Sequence, residues 1–320
     1  MKITSDKPVC VLTEIDWVPD DAVLRLEEIF TVHKGPFTKK ELVTKMQKVE
    51  GCFVGLDHII GPDMFGSNLR FIASPTTGLN HIDLDHAVKN AVQVISLKGE
   101  SAFLENITAT AELCWGLIIA LRRHIPEAFR SVRLGQWDRD KFCGVELQGS
   151  TIGIIGYGRL GRKVARYAEA FNMKILVNTP QEINDVMVEQ CSLEKLLVES
   201  DIVTLHADSR HENYHMISLK EFELMKRNAV FINTARGDLV DENAIIHALQ
   251  NSLIAGAALD VVEAEFNNEH TSQHLMDYAK THNNLIITPH IGGVTHNSQY
   301  ATTHFTINKL ISWWGENGSN

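Results

Sequence analysis

Apolar residues along this chain fall into short runs separated by amphipathic or polar stretches, and the spacing within each stretch separates strand from helix. In the N-terminal third, Val9–Leu12, Ile29–Val32, Cys52–Leu56, Phe71–Ala73 and Val92–Ile95 read as strands, with patterned segments such as Asp21–Glu28 and Lys39–Val49 between them. Strands alternating with helices predict a parallel sheet, hence a first, smaller α/β domain. The alternation resumes later with Thr151–Ile155, Lys174–Asn178, Ile202–Leu205, Val230–Asn233, Ala255–Leu259 and Leu285–Thr288 as strands. Helix-like Leu193–Glu199, Leu219–Lys226 and Glu242–Gln250 separate them, enough βα repeats for a doubly wound sheet. Between the two series, Ile107–Ile125 is apolar over most of its surface and predicts one buried helix stopped before Pro126. Glu112 lies in that run and reads as a structural, buried carboxylate in need of partners. A final helix is predicted from roughly Gln299 to Trp314.

The strand at Thr151 runs directly into Gly156-x-Gly158-x-x-Gly161, and Arg162–Phe171 has helical spacing, so the glycines sit at a strand-to-helix turn. In that context the pattern is a dinucleotide-binding proposal: Gly156 for the tight turn, Gly158 for approach of the backbone to a pyrophosphate, Gly161 for helix-strand packing. The helix start adds free N–H groups and the positive end of the helix dipole. A glycine-rich connection without a ligand is the competing reading, and the flanking strand and helix weigh against it.

Composition narrows the class without naming a reaction. At 320 residues, 44% hydrophobic and 22% charged, the chain has room for two domains and an ordinary globular core. A formal charge of -10 and the lack of a basic stripe argue against a nucleic-acid partner. The apolar run Leu113–Leu121 is too short to span a bilayer, and MKITSDKPV lacks a signal-peptide hydrophobic region, so no membrane association and a cytoplasmic location are expected. Cys10, Cys52, Cys114, Cys143 and Cys191 are scattered without CxxC, and fifteen histidines show no ligand spacing. Reduced thiols and no metal site are expected.

The strand ends collect the residues that carry chemistry. Thr76–Asp83 follows the fourth strand, where Thr77 and Gly78 can offer backbone N–H groups to a small anion; a plain helix start with polar caps fits the spacing equally. In the second series, Asn233-Thr234-Ala235-Arg236-Gly237, Asp260 to Glu265, and Thr288-Pro289-His290-Ile291-Gly292-Gly293 each follow a strand. Such loops converge on the ligand edge of a parallel sheet. Hydride transfer to a carbonyl needs these three types of group. An Arg grips a carboxylate, a His passes a proton, and a carboxylate favours the protonated imidazole. Taken singly, each is a common surface, capping or ion-pair residue; it is their combination that points to catalysis.

The series GYGRLG, INTARGDLVDENAIIHAL, AGAALDVVEAE and ITPHIGG resembles the D-isomer-specific 2-hydroxyacid dehydrogenase family, nearest its phosphoglycerate dehydrogenase-like branch, densely from about Phe71 to Gln299. The resemblance implies an α/β fold with two Rossmann-like domains, a doubly wound parallel sheet in the cofactor domain and a smaller flavodoxin-like substrate domain. The implied boundaries are 1–105 for the first segment of the substrate domain, 106–291 for the dinucleotide-binding domain and 292–320 for the returning C-terminal helix. It implies Arg236 on the substrate carboxylate and carbonyl, His290 as proton donor and acceptor, and Glu265 bonded to the histidine, with Glu263 a near-miss whose place in the motif does not match. Substrate contacts from Thr77 and Gly78 are implied too. Cofactor contacts fall to Gly156, Tyr157, Gly158, Arg159, Leu160, Gly161, Thr179, His206, Thr234, Ala235 and Asp260, the last facing the nicotinamide carboxamide. The implied cofactor is NAD, with NADP not excluded, and the implied assembly a homodimer.

Three positions depart from the family pattern. Thr179 stands where an acid ends the second strand, so the choice of NAD over NADP is open; the nearest acid is Glu182 and no Arg follows. Phe266 replaces the proline after the glutamate, and His206-Ala207-Asp208-Ser209 replaces a histidine, apolar residue, proline and leucine run. The leading expectation is an NAD(P)-dependent oxidoreductase interconverting a D-2-hydroxy acid and its 2-keto acid. The alternative is a non-catalytic NAD(H)-sensing interaction protein on the same fold. A dinucleotide-fold methyltransferase explains the glycines but gives the Arg, Glu and His no role. Lys98 and Arg70 are candidate partners for a substrate phosphate, each with an ordinary ion-pair reading beside it. With the chain ending at Asn320, no appended regulatory module is expected.

Overall fold

A computed structural model of the chain describes residues 7–14, 16–263, 265 and 272–318. The chain divides into two compact units, Met1–Ile107 with Thr295–Asn320, and Thr108–Val294. These limits fall two and three residues beyond the expected 105 and 291, because helix starts set them. Thr108 precedes the helix Ala109–Arg122, and Thr295 caps the helix His296–Asn317, its hydroxyl accepting from the Ser298 N–H at 3.1 Å.

In the first unit, strands β1 (Val9–Leu12), β2 (Thr31–Lys34), β3 (Gly51–Phe53), β4 (Phe71–Ala73) and β5 (Gln93–Ile95) form a sheet in the order β2-β1-β3-β4-β5. All pairs are parallel, the flavodoxin-like order. Alternate residues enter opposite cores, as a strand's two-residue period requires. Cys10, Leu12, Phe53 and Phe71 meet the helices Asp20–Ile29 and His296–Asn317 through Leu26, Ile307 and Leu310. Val11, Cys52 and Ile72 meet Leu42 and Met46 of the helix Lys39–Met46 on the other face.

The second unit holds β6 (Thr151–Ile155), β7 (Lys174–Asn178), β8 (Glu189–Gln190), β9 (Ile202–Leu205), β10 (Val230–Asn233), β11 (Gly256–Leu259) and β12 (Leu285–Ile287). Their order is β12-β11-β10-β9-β6-β7-β8, parallel throughout. Counted within the unit, this is the doubly wound dinucleotide-binding order with one further strand at its edge. Ile152, Ile154, Val177 and Ile232 face one core; Ile155, Leu176, Val203 and Phe231 face the other. Burial on both faces explains why these strands read as continuous apolar runs.

Several elements differ from their sequence reading. Ile29 ends the helix Asp20–Ile29, and the strand begins only at Thr31, because buried Phe30 turns the chain in an extended conformation. The long apolar run is two helices. The first stops at Arg122, His124 takes a left-handed φ of 52°, and Pro126 lies in the first turn of the helix Ile125–Arg133. A proline tolerated in a first turn opens a helix as readily as it ends one. Glu112 is exposed, accepting from the Thr108 hydroxyl at 2.5 Å one turn earlier. The last helix extends beyond the predicted range at both ends. Arg70 closes its far end, donating to Asn317 O at 2.6 Å and Gly318 O at 2.9 Å, with its guanidinium over Trp314. Lys98 is exposed.

Leu310 is fully buried between the last helix and the first sheet. Leu310→Ala is expected to destabilise the first unit by about 2–5 kcal/mol, seen as a lower urea midpoint at unchanged slope.

Candidate active site

The glycine loop begins where β6 ends. Gly156 has φ +92°, and a Cβ there would lie 2.6 Å from His206 O, so both backbone conformation and the neighbouring β9 loop demand glycine. A Cβ at Gly161 would lie 2.1 Å from Gly156 O, which fixes how closely the helix Arg159–Ala170 seats on the loop. Gly158, the residue before that helix, would meet nothing within 4 Å. Its bare backbone faces open space at a helix N-terminus, the form of an anion cradle. Leu160 and the Tyr157 ring pack on the core beneath, together with Ile183 and Val188 from the segment after β7. The Tyr157 hydroxyl donates to Asp185 Oδ2 at 2.7 Å.

Two buried polar atoms at the adjoining strand ends have no hydrogen-bond partner within the described chain, Thr234 Oγ1 after β10 and His206 Nδ1 after β9. Burial pushes the His206 imidazole down to about 4, so it is neutral near pH 7; its Nε2 contacts Thr204 Oγ1 at 2.9 Å. An orphaned hydroxyl, an orphaned imidazole nitrogen and an open glycine cradle on one edge of one sheet fit a dinucleotide.

Past β10 the chain makes a side-chain-clamped turn. Buried Asn233 accepts from the Ala235 N–H at 2.9 Å and donates to Arg236 O at 2.8 Å. The half-buried Arg236 side chain donates to Ala235 O at 2.5 Å. Sequence reading missed Asn233 as a functional support, although an Asn two residues before a turn N–H is a recognisable Asx-turn signal. A Cβ on Gly237 would lie 2.0 Å from the Val262 carbonyl carbon. Glycine thus lets the Arg236 turn lie directly against the chain that leads to Glu265.

The buried Asp260 carboxylate organises the histidine turn. Oδ1 accepts from the Thr288 hydroxyl at 2.6 Å and the Ile291 N–H at 2.9 Å, and Oδ2 from the Gly292 N–H at 2.7 Å. Burial raises its pKa, and these donors oppose the rise. His290 sits in the turn with φ 52°, its N–H donating to Asp260 O at 2.8 Å and Thr288 O at 3.0 Å. A left-handed non-glycine residue is strained by about 1–3 kcal/mol, and the Asp260 hydrogen bonds hold it there. His290 Nδ1 then lies 3.0 Å from Glu265 Oε1.

The geometry also separates the two glutamates. Glu263 is occupied elsewhere, taking the Tyr214 hydroxyl and lying 3.2 Å from His215 Nε2. Glu265 is the one against the histidine. Thr179 donates to Gln181 Oε1 at 2.9 Å. Thr77 and Gly78 belong to the first unit, in a turn after β4 where Thr76 Oγ1 donates to Gly78 O at 2.8 Å. Phe266 lies outside the described residues.

Comparison with known proteins accords with this arrangement. The family model described as "D-isomer specific 2-hydroxyacid dehydrogenase, NAD binding domain" matches residues 115–292. The chain belongs to that family. It is 32% identical to a glyoxylate reductase of Thermococcus litoralis, over 92% of this chain and 91% of the relative. It is 33% identical to a D-3-phosphoglycerate dehydrogenase of Methanocaldococcus jannaschii, over 89% of this chain and 54% of that longer relative. Among solved structures, D-lactate dehydrogenase from Aquifex aeolicus, complexed with NAD and lactic acid, has a TM-score of 0.83 and 26% identity, covering 97% of this chain and 96% of that one. This protein is therefore an NAD(P)-dependent oxidoreductase that transfers a hydride between the nicotinamide cofactor and a 2-hydroxy acid/2-keto acid pair.

Gly237→Ala is expected to separate the Arg236 turn from the Glu265 segment. Displacement of about 1 Å at a reacting site costs roughly 100-fold in rate. Steady-state kcat/KM should fall on that scale while NADH still quenches protein fluorescence with near-native affinity.

Proposed function

We propose that Arg236, Glu265 and His290 carry out the reaction, and that the physiological acid is a small 2-oxo acid of the glyoxylate type. The observation that carries this reading is the 3.0 Å approach of Glu265 Oε1 to His290 Nδ1. A carboxylate beside Nδ1 orients the ring and leaves Nε2 as the nitrogen that passes the proton. During reduction His290 gives that proton to the substrate oxygen; during oxidation it takes it back. Arg236 grips the substrate carboxylate through two parallel N–H bonds and polarises the neighbouring carbonyl. Bound NADH supplies the hydride for the carbonyl carbon. Gly156–Gly161 would receive its pyrophosphate and Thr234 and His206 would offer it polar contacts, while Asp260 keeps the histidine turn in register. A small substrate is supported by glyoxylate reductases 32–33% identical over 92–96% of this chain.

We also assign the protein to the cytoplasm as a homodimer. The free thiols of Cys10, Cys52, Cys114, Cys143 and Cys191 suit a reducing compartment. The helix Ile125–Arg133 and the chain after it expose Phe129 at 64%, Leu134 at 71% and Trp137 at 89%. Exposed apolar side chains of this size in one stretch of chain support burial against a second copy of the chain.

His290→Ala should lower kcat by roughly 10²–10⁴-fold, the usual worth of a positioned acid–base group. Arg236→Ala should lower kcat/KM by about 10- to 100-fold or more, the scale of charge-assisted hydrogen bonds. NADH titrations should be unchanged in both, and near-normal turnover in either would refute the assignment. Glu265→Ala removes the carboxylate that orients His290, so kcat should fall by about tenfold or more at unchanged NADH affinity; an unaltered kcat rejects its role. For the assembly, Phe129→Asp with Trp137→Asp should halve the sedimentation mass at unchanged circular dichroism. A wild-type monomer at micromolar concentration would contradict the dimer.

A further inference from the structure

The strand end that carries an acid in this family carries Thr179 here, and its hydroxyl is directed to Gln181. The chain after it does not leave the glycine loop. Gln190 in β8 folds it back, its amide nitrogen donating to Thr179 O at 3.0 Å and Gln181 O at 2.8 Å, and its oxygen accepting from the Ile183 N–H at 3.0 Å. Asn178 adds a bond to Cys191 O at 3.0 Å. Ile183 and Val188 pack on the same core as Tyr157 and Leu160 of the glycine loop. Asp185 lies between those two apolar anchors in sequence and meets the loop directly, accepting the Tyr157 hydroxyl at 2.7 Å on Oδ2 and the Met187 N–H at 3.0 Å on Oδ1. Those donors hold its pKa below the usual carboxylate range, the Met187 N–H first and Tyr157 second. It is therefore an anion at neutral pH. Each oxygen keeps further acceptor capacity.

From this arrangement we infer that Asp185, tethered to the glycine loop through Tyr157, replaces the missing strand-end acid and selects NAD(H) over NADP(H). A fixed carboxylate accepts hydrogen bonds from ribose hydroxyls and repels a 2′-phosphate. The cations nearest Tyr157, Arg162 and Arg166, are exposed on the following helix. In the inferred arrangement Asp185 acts on the ribose hydroxyl that distinguishes the two cofactors.

The test is direct binding, measured by fluorescence titration of the full chain with NADH and with NADPH, without substrate. The wild-type protein should bind NADH at least about tenfold more tightly, a modest difference in free energy. The preference should shrink as ionic strength rises, as for a charge only half-buried. Asp185→Asn should bring the two dissociation constants to within about threefold and abolish the salt dependence of their ratio. Tyr157→Phe should weaken the preference partially, and Thr179→Asp placed in the Asp185→Asn background should restore it. The inference is overturned if wild-type protein binds NADPH as tightly as NADH, or if Asp185→Asn binds both with an unchanged ratio. Binding of neither cofactor by the wild-type chain would overturn it together with the glycine-loop site. Retained binding with an unchanged ratio would remove Asp185 alone and leave that site standing.

Discussion

The seven strands described in the second unit all run the same way, so the loops that follow them are forced onto one edge of one sheet. The proposed catalytic assembly depends on that constraint. The glycine loop after β6, His206 after β9, Arg236 after β10, Asp260 and Glu265 after β11, and His290 after β12 are far apart in sequence and neighbours in strand order. Because both sheet faces are buried, the strands have little freedom to shift, and a one-residue slip would exchange the two cores. Rigidity at the strand ends is thus a by-product of packing.

The loops then need their own restraints, and they are mostly polar. Asn233 clamps the Arg236 turn and Asp260 clamps the His290 turn. Both side chains are almost fully buried, where an unpaired carboxylate or amide is destabilising by about 1–3 kcal/mol or more. Every bond that offsets this desolvation goes to the backbone of a functional turn or to a residue within it. The molecule therefore ties the stability of the buried acid to the strained φ of His290: relaxing the turn would strand the Asp260 carboxylate among lost donors.

The sequence was most legible where one local signal was enough. Apolar runs located the strands, and the strand-Gly-x-Gly-x-x-Gly-helix succession located the glycine turn ahead of the helix Arg159–Ala170, since each depends on neighbours in the chain. Boundaries that depend on tertiary contacts were less legible. Phe30 is a core residue that ends a helix rather than the middle of a strand, and the helix break at His124 leaves the apolar periodicity on either side intact. Glu112 looked buried because its helix is apolar, yet it occupies the one stripe that faces solvent. At the site, residue types and order pointed to Arg236, Glu265 and His290, but only the separate partners of Glu263 show physically why the later glutamate meets the histidine.

Asp185 marks the same limit from the other side. A local reading asks what residue ends β7 and finds Thr179, which leaves an apparent gap in the electrostatics of the cofactor site. The fold brings a carboxylate back to the glycine loop by a route that no fixed spacing describes, a short edge strand pairing with β7 and a glutamine that gathers the intervening backbone. Charge selects a ligand by where it stands in space, and its address in the sequence is free to change wherever a loop can be folded over the same spot. Gly156 and Gly161 have no such freedom, because their roles are set by backbone conformation and by contacts closer than a Cβ permits. Motifs built on steric exclusion are therefore read reliably from a single chain, whereas those built on charge have to be read from the folded structure.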